Sequence, residues 1–100
     1  MVYAIVDIET TGSYASGNDI TEIAVYCFDG NSIVSEYQTL IRPDRAIPYA
    51  IQVLTGITNS MVAAAPKFEE VAGHIAGILE GKVFVAHNVN FDYSFLKHNL

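Results

Sequence analysis

The chain has 100 residues, 51% hydrophobic and 16% charged, a balance that supports one modest buried core and excludes a disordered chain. Five Lys and Arg against eleven Asp and Glu leave a net charge of −6, which argues against a surface that grips duplex DNA through many phosphate contacts. No apolar run approaches the ~18 residues that span a bilayer. Met1 carries no basic flank or small-residue cleavage site, and the lone Cys27 excludes an internal disulfide or a cysteine-built zinc site. A reduced, cytoplasmic setting with no membrane partner is expected.

Val2–Val6 reads as a strand covered on both faces, followed by a loop from Ser13 to Asp19. Ile20–Phe28 is a second strand, with Ile23, Val25 and Cys27 on one face. Asp29-Gly30-Asn31 marks a hairpin into a third strand, Ser32–Ile41, on which Ile33, Tyr37 and Ile41 share a face. Pro48 opens a helical turn ended by Gly56, and Thr58 caps a second through Val62. Phe68, Val71, Ala72, Ile75, Ile78 and Leu79 follow the spacing of a one-sided helix over 67–80, whose Gly73 and Gly77 would allow close packing on a sheet. Val83–Ala86 is a short buried strand, and Asn90 caps a last helix carrying Phe91, Phe95 and Leu96.

Two segments carry candidate chemistry. In Asp7-Ile8-Glu9-Thr10-Thr11-Gly12, strand alternation puts Asp7 and Glu9 on one face, roughly 6.5 Å apart along the backbone. Two such carboxylates resist joint ionisation unless a cation lies between them. In Ala86-His87-Asn88-Val89-Asn90-Phe91-Asp92, a strand leads into a helix whose first turn favours the anionic form of Asp92. Alone, each segment also fits a plain reading: a solvated strand end and ordinary charge complementarity at a helix start. If the last strand lies parallel to the first, with helix 67–80 as crossover, Asp92 arrives beside Asp7 and Glu9. Three hard oxygen ligands suit Mg²⁺ or Mn²⁺ better than zinc.

Asp7-Ile8-Glu9-Thr10-Thr11-Gly12 followed by His87-Asn88-Val89-Asn90-Phe91-Asp92 resembles the first two motifs of the DEDDh 3′→5′ exonucleases, the family of the proofreading epsilon subunit of bacterial DNA polymerase III. The likeness runs through Ile20–Val25, Pro43, Ile47-Pro48, Leu54-Thr55-Gly56-Ile57-Thr58, Ala65–Phe68 and Val85–Asn88. It implies an α/β, ribonuclease H-like fold with three antiparallel strands extended by a parallel one. It also implies two-metal hydrolysis at the 3′ end of single-stranded or frayed DNA, with Asp7, Glu9 and Asp92 as catalytic metal ligands for Mg²⁺ or Mn²⁺. Thr10, Thr11 and Gly12 would line the seat of the terminal nucleotide, the glycine allowing close approach. Leu54, Thr55 and Gly56 would form a loop near its base, and His87, Asn88 and Phe91 would buttress the site or touch substrate.

The family's third motif, a histidine followed five positions later by an aspartate, supplies a general base and a fourth ligand. His98 has nothing five positions on, and His87 sits before the helix and does not match the family's base. The expectation is that residues 1–100 form the N-terminal portion of a single exonuclease domain, inactive alone. The parent protein would add a fused second domain or engage a replicative polymerase. His74 and His98 are expected to be solvated, Glu22 to support the site, and Cys27 to sit in the core. Two other readings remain open: a non-catalytic module that uses the carboxylates only to hold an ion, and an RNA-trimming relative.

Overall fold

A computed structural model describes all residues, Met1–Leu100. β1 (Tyr3–Thr10), β2 (Ile20–Phe28) and β3 (Ile33–Leu40) form an antiparallel meander, followed by α1 (Tyr49–Thr55), α2 (Asn59–Val62), α3 (Phe68–Leu79), β4 (Val83–Val85) and α4 (Val89–Asn99). The sheet order is β3-β2-β1-β4. β4 runs parallel to β1, with Tyr3 opposite Val83 and Ile5 opposite Val85. Three antiparallel strands extended by a parallel one is the arrangement that the sequence resemblance implied.

Strand alternation decides which face is buried. Ala4, Val6 and Ile8 of β1 meet Ile23, Val25 and Cys27 of β2, and Phe68 and Ile75 of α3 with Phe95 and Leu96 of α4 cover them to complete the main core. A smaller cluster of Ile47, Ile57 and Val62, with Ile51 and Leu40 against it, ties α1 and α2 to the end of β3. Asn59 and Gln52 stitch that segment by bonding the main chain of Ile47 at 2.8 and 2.9 Å.

Several expectations change. β1 runs on to Thr10, so Asp7 and Glu9 lie within a strand, and the residues Asp7–Thr10 take ladder partners on β2. Nor is β1 covered on both faces. Ile5 is 37% exposed and Val83 and Val85 of β4 are similarly open, so this face bears a shallow apolar hollow lined by Tyr3, Ile5, Phe28, Gly30 and Val85. Ile33 does not share the buried face of Tyr37 and Ile41: a bulge at Cys27/Phe28 shifts the register, and Ile33 is exposed. A Cβ added at Gly73 or Gly77 would meet nothing within 4 Å, so those glycines serve no close packing. The last helix is capped by Asn88, whose Oδ1 accepts from the Phe91 N–H at 3.1 Å, with Asn90 inside the first turn. His74 is exposed, yet its ring stands edge-on to Tyr37 at 4.7 Å. Cys27 is fully buried, as expected. No helix is long and apolar enough to cross a membrane.

Candidate active site

The acidic site forms around the C-terminal half of β1, near the start of α4. Ile8 is buried while Asp7 on the opposite face is exposed and Glu9 half-buried, so the alternation expected from the sequence holds. Glu22 of β2 lies directly across from Glu9, with the Gln38 side-chain amide donating to its Oε2 at 3.3 Å. Asp92, 6% exposed, is the one buried acid of the chain. It sits in the first turn of α4, whose Phe95 and Leu96 anchor the helix in the main core.

These carboxylates feel one another. Burial pushes Glu9 above the usual carboxylate range, and the charges of Asp7, Glu22 and Asp92 push it further. Burial also raises Asp92, to about 6, with Asp7 adding to the rise; the backbone amides of Asp92 and Ile8 and the side chain of His87 oppose it. Acids on β1, β2 and α4, far apart in sequence, therefore share one field, and no Lys or Arg pairs with any of them: the two ion pairs of the chain are Arg45–Asp19 and Lys67–Asp44. The side chains are nonetheless not drawn into a closed ligand cluster, since no three His, Cys, Asp or Glu groups gather at metal-binding separation. The donor set fits a hard divalent cation: all are carboxylates, and the raised protonation of Glu9 and Asp92 marks an excess of negative charge that a cation would relieve.

Next to this field lies a cleft of about 160 Å³ lined by Glu9, Thr10, Gly12, Ser13, Ile51, Leu54, Thr55 and Phe91. The fold thus gathers Thr10, Gly12, Leu54, Thr55 and Phe91, three segments of the chain, around the carboxylate of β1. Leu54 is 80% exposed at its edge. Leu54 and Thr55 belong to a helix rather than a loop, because Gly56 in the left-handed conformation (φ 77°) ends α1 one residue later.

Other expected site residues stand elsewhere. Thr11 is buried, with its hydroxyl occupied by Asn18 and Asp19. Gly12, by contrast, is in the cleft lining, and Asn18 backs it closely: a Cβ there would lie 2.5 Å from Asn18 Oδ1. Gly56, His87 and Asn88 do not line the cleft; Asn88 is spent on the helix cap, and His87 acts on Asp92 through its charge. Sequence reading missed Ile51 and Ser13 in the lining. Ile51 was detectable, three residues before Leu54 and hence on the same helical face.

The profile of the RNase T exonuclease family matches residues 4–100. The chain belongs to this exonuclease family. Among curated relatives, the 3′-5′ exonuclease DinG of Staphylococcus haemolyticus is 44% identical over 95 residues, covering 95% of this chain and 11% of the relative. DinG of Staphylococcus aureus strain USA300 is 42% identical over 95 residues, with 95% and 11% covered. This chain therefore spans about a tenth of the length of the curated relatives it matches. Among solved structures, exonuclease X in complex with 5′-overhanging duplex DNA superposes with a TM-score of 0.80 at 35% identity, over 94% of this chain and 53% of that one. Apo exonuclease I reaches 0.85 at 20% identity, over 96% and 23%, a likeness of fold alone. The fold is ribonuclease H-like. The relatives bear the DinG name and give no specific support to an epsilon-like proofreading role.

Proposed function

We propose that this chain is the front portion of a DEDDh-type 3′→5′ exonuclease domain that trims single-stranded or frayed DNA 3′ ends. The observation that supports this best is the shared field of Asp7, Glu9 and Asp92 beside a cleft with polar and apolar walls. Asp7, Glu9 and Asp92 would hold Mg²⁺ or Mn²⁺, two ions in the complete domain. When bound, such ions supply charge neutralisation at the scissile phosphodiester and activation of the attacking water. The chain's own residues bind and orient the 3′ end. Phe91 and Leu54 offer apolar surface on which a base can rest without regard to its identity, and the turn from Thr10 to Ser13, braced by the Thr10 hydroxyl donating to the Gly12 carbonyl at 2.7 Å, would lie beside the sugar.

No histidine within residues 1–100 is proposed as the general base. His74 packs on Tyr37 and His98 borders a different cavity. His87 stands five positions before Asp92, the spacing of the third motif, but belongs to the second. The base and fourth ligand would come from the rest of the parent polypeptide; the partial coverage of exonuclease X supports this. Given the length of the DinG relatives, fused domains in the same chain are favoured over a separate polymerase partner. The test is digestion of 5′-labelled single-stranded DNA by the parent polypeptide in Mn²⁺, with and without Asp7→Ala. Stepwise shortening that the substitution abolishes is expected, and unchanged digestion by the variant would refute the proposal.

A further inference from the structure

We infer that Thr11, Asp19 and Arg45 form a latch that fixes the loop wall of the cleft, making Thr11 and Asp19 positioning residues for the nucleotide seated there. This rests on the reading of the cleft as the seat of a 3′-terminal nucleotide.

A two-residue turn would suffice to join antiparallel neighbours such as β1 and β2. The chain instead makes an excursion over residues 11–19, and its polar groups are turned inward on one another. The Thr11 N–H donates to the Asp19 carbonyl at 2.9 Å, while the Asp19 N–H donates to Thr11 Oγ1 at 3.0 Å. The Thr11 hydroxyl donates to Asn18 Oδ1 at 3.1 Å, and Asn18 Nδ2 donates to the Tyr14 carbonyl at 2.9 Å. Asn18 is thereby held at both ends of its amide, immediately behind Gly12. Gly12 and Ser13, which line the cleft, rest on this support.

The knot is then pinned to the rest of the molecule through one carboxylate. Asp19 Oδ2 accepts from the Asp44 N–H at 3.1 Å and from Arg45 Nε at 3.0 Å. Arg45 also lies along the loop, its Nη1 3.8 Å from where a Cβ of Gly17 would stand. Lys67 bonds Asp44 at 3.1 Å and carries the tie to the start of α3. Arg45 is about half exposed, and ion pairs of that kind add little to global stability. Their effect here is local: the latch sets where the backbone after Glu9 runs, and so the width of the cleft.

The experiment measures binding of thymidine 5′-monophosphate in saturating Mn²⁺, and of Mn²⁺ itself, by calorimetry on the 100-residue chain. Thr11→Val keeps the shape and removes the hydroxyl. It should weaken nucleotide binding by about tenfold, the scale of two lost hydrogen bonds on a positioned wall. Thr11→Ser should restore it to within about twofold, and the surface variant Arg45→Ala should weaken it about threefold without unfolding the chain. Mn²⁺ binding should be unchanged in all three, which general damage to the fold would not leave intact. Nucleotide binding by Arg45→Ala and by folded Thr11→Val equal to that of the unmodified chain would overturn the latch alone. Failure of the unmodified chain to bind the nucleotide would overturn the reading of the cleft, and the latch with it.

Discussion

The two faces of β1 are made of alternate residues of one strand and differ in every physical respect. Ala4, Val6 and Ile8 face a closed core under α3 and α4. Ile5, Asp7 and Glu9 face outward, unpaired by any cation and beside other acids. The covered face defines the fold and tolerates no charge. The open face concentrates charge at a cost to the fold, which supports the proposal that it is kept for chemistry.

The sharpest way to break this contrast is truncation on each face. Phe95→Ala, at a fully buried site, should cost about 3–5 kcal/mol, enough to unfold much of a small domain. Ile5→Ala on the open face should cost under about 1 kcal/mol. Urea denaturation followed by circular dichroism reads both, and similar losses would mean that the open face is covered in solution.

The acidic side gives a signed pH effect. Asp92 rises in the fold to about 6 from 3.8, so between those values the folded chain holds a proton that the unfolded chain has lost. The stability this contributes is fully present below pH 4 and is lost as pH rises through about 6. In metal-free buffer at pH 7.5, Asp92→Asn should therefore raise the melting temperature by about 2–5 °C while removing cation binding. A lowered melting temperature would contradict the buried-charge account.

Smaller effects test the local readings. Asn88→Ala should destabilise by about 1 kcal/mol through loss of the α4 cap, whereas Asn90→Ala should be near neutral. Gly73→Ala and Gly77→Ala, each facing open space in α3, should stabilise by up to about 1 kcal/mol. Thermal denaturation of the four variants separates these signs.

Much of this was legible in the sequence because the relevant signals are local. The span of β2, the Asp29 turn, the Gly56 stop, the Thr58 cap and the apolar stripe of α3 each follow from neighbouring residues and reappear in the structure. Asp7 and Glu9 sharing a face follows from alternation alone. The failures are long-range. Apolar Ile5, Val83 and Val85 read as buried because composition cannot say whether anything covers a sheet face. The partners of Thr11, Asn18 and Asp19, stand at the far end of a loop, whereas Glu22 takes the place beside the site expected of it, opposite Glu9. Asn88 and Asn90 are equally good caps by residue type, and only the point at which the backbone enters α4 separates them.

The central claim is that acids from β1 and α4 serve a common cation. Calorimetric titration of Mn²⁺ into the chain and into Asp7→Ala, Glu9→Ala and Asp92→Ala tests it directly. The account predicts binding by the unmodified chain that each substitution weakens by more than about a hundredfold, beyond the 10- to 100-fold that loss of mere supporting contacts produces. Binding that survives Asp92→Ala at full strength would contradict it.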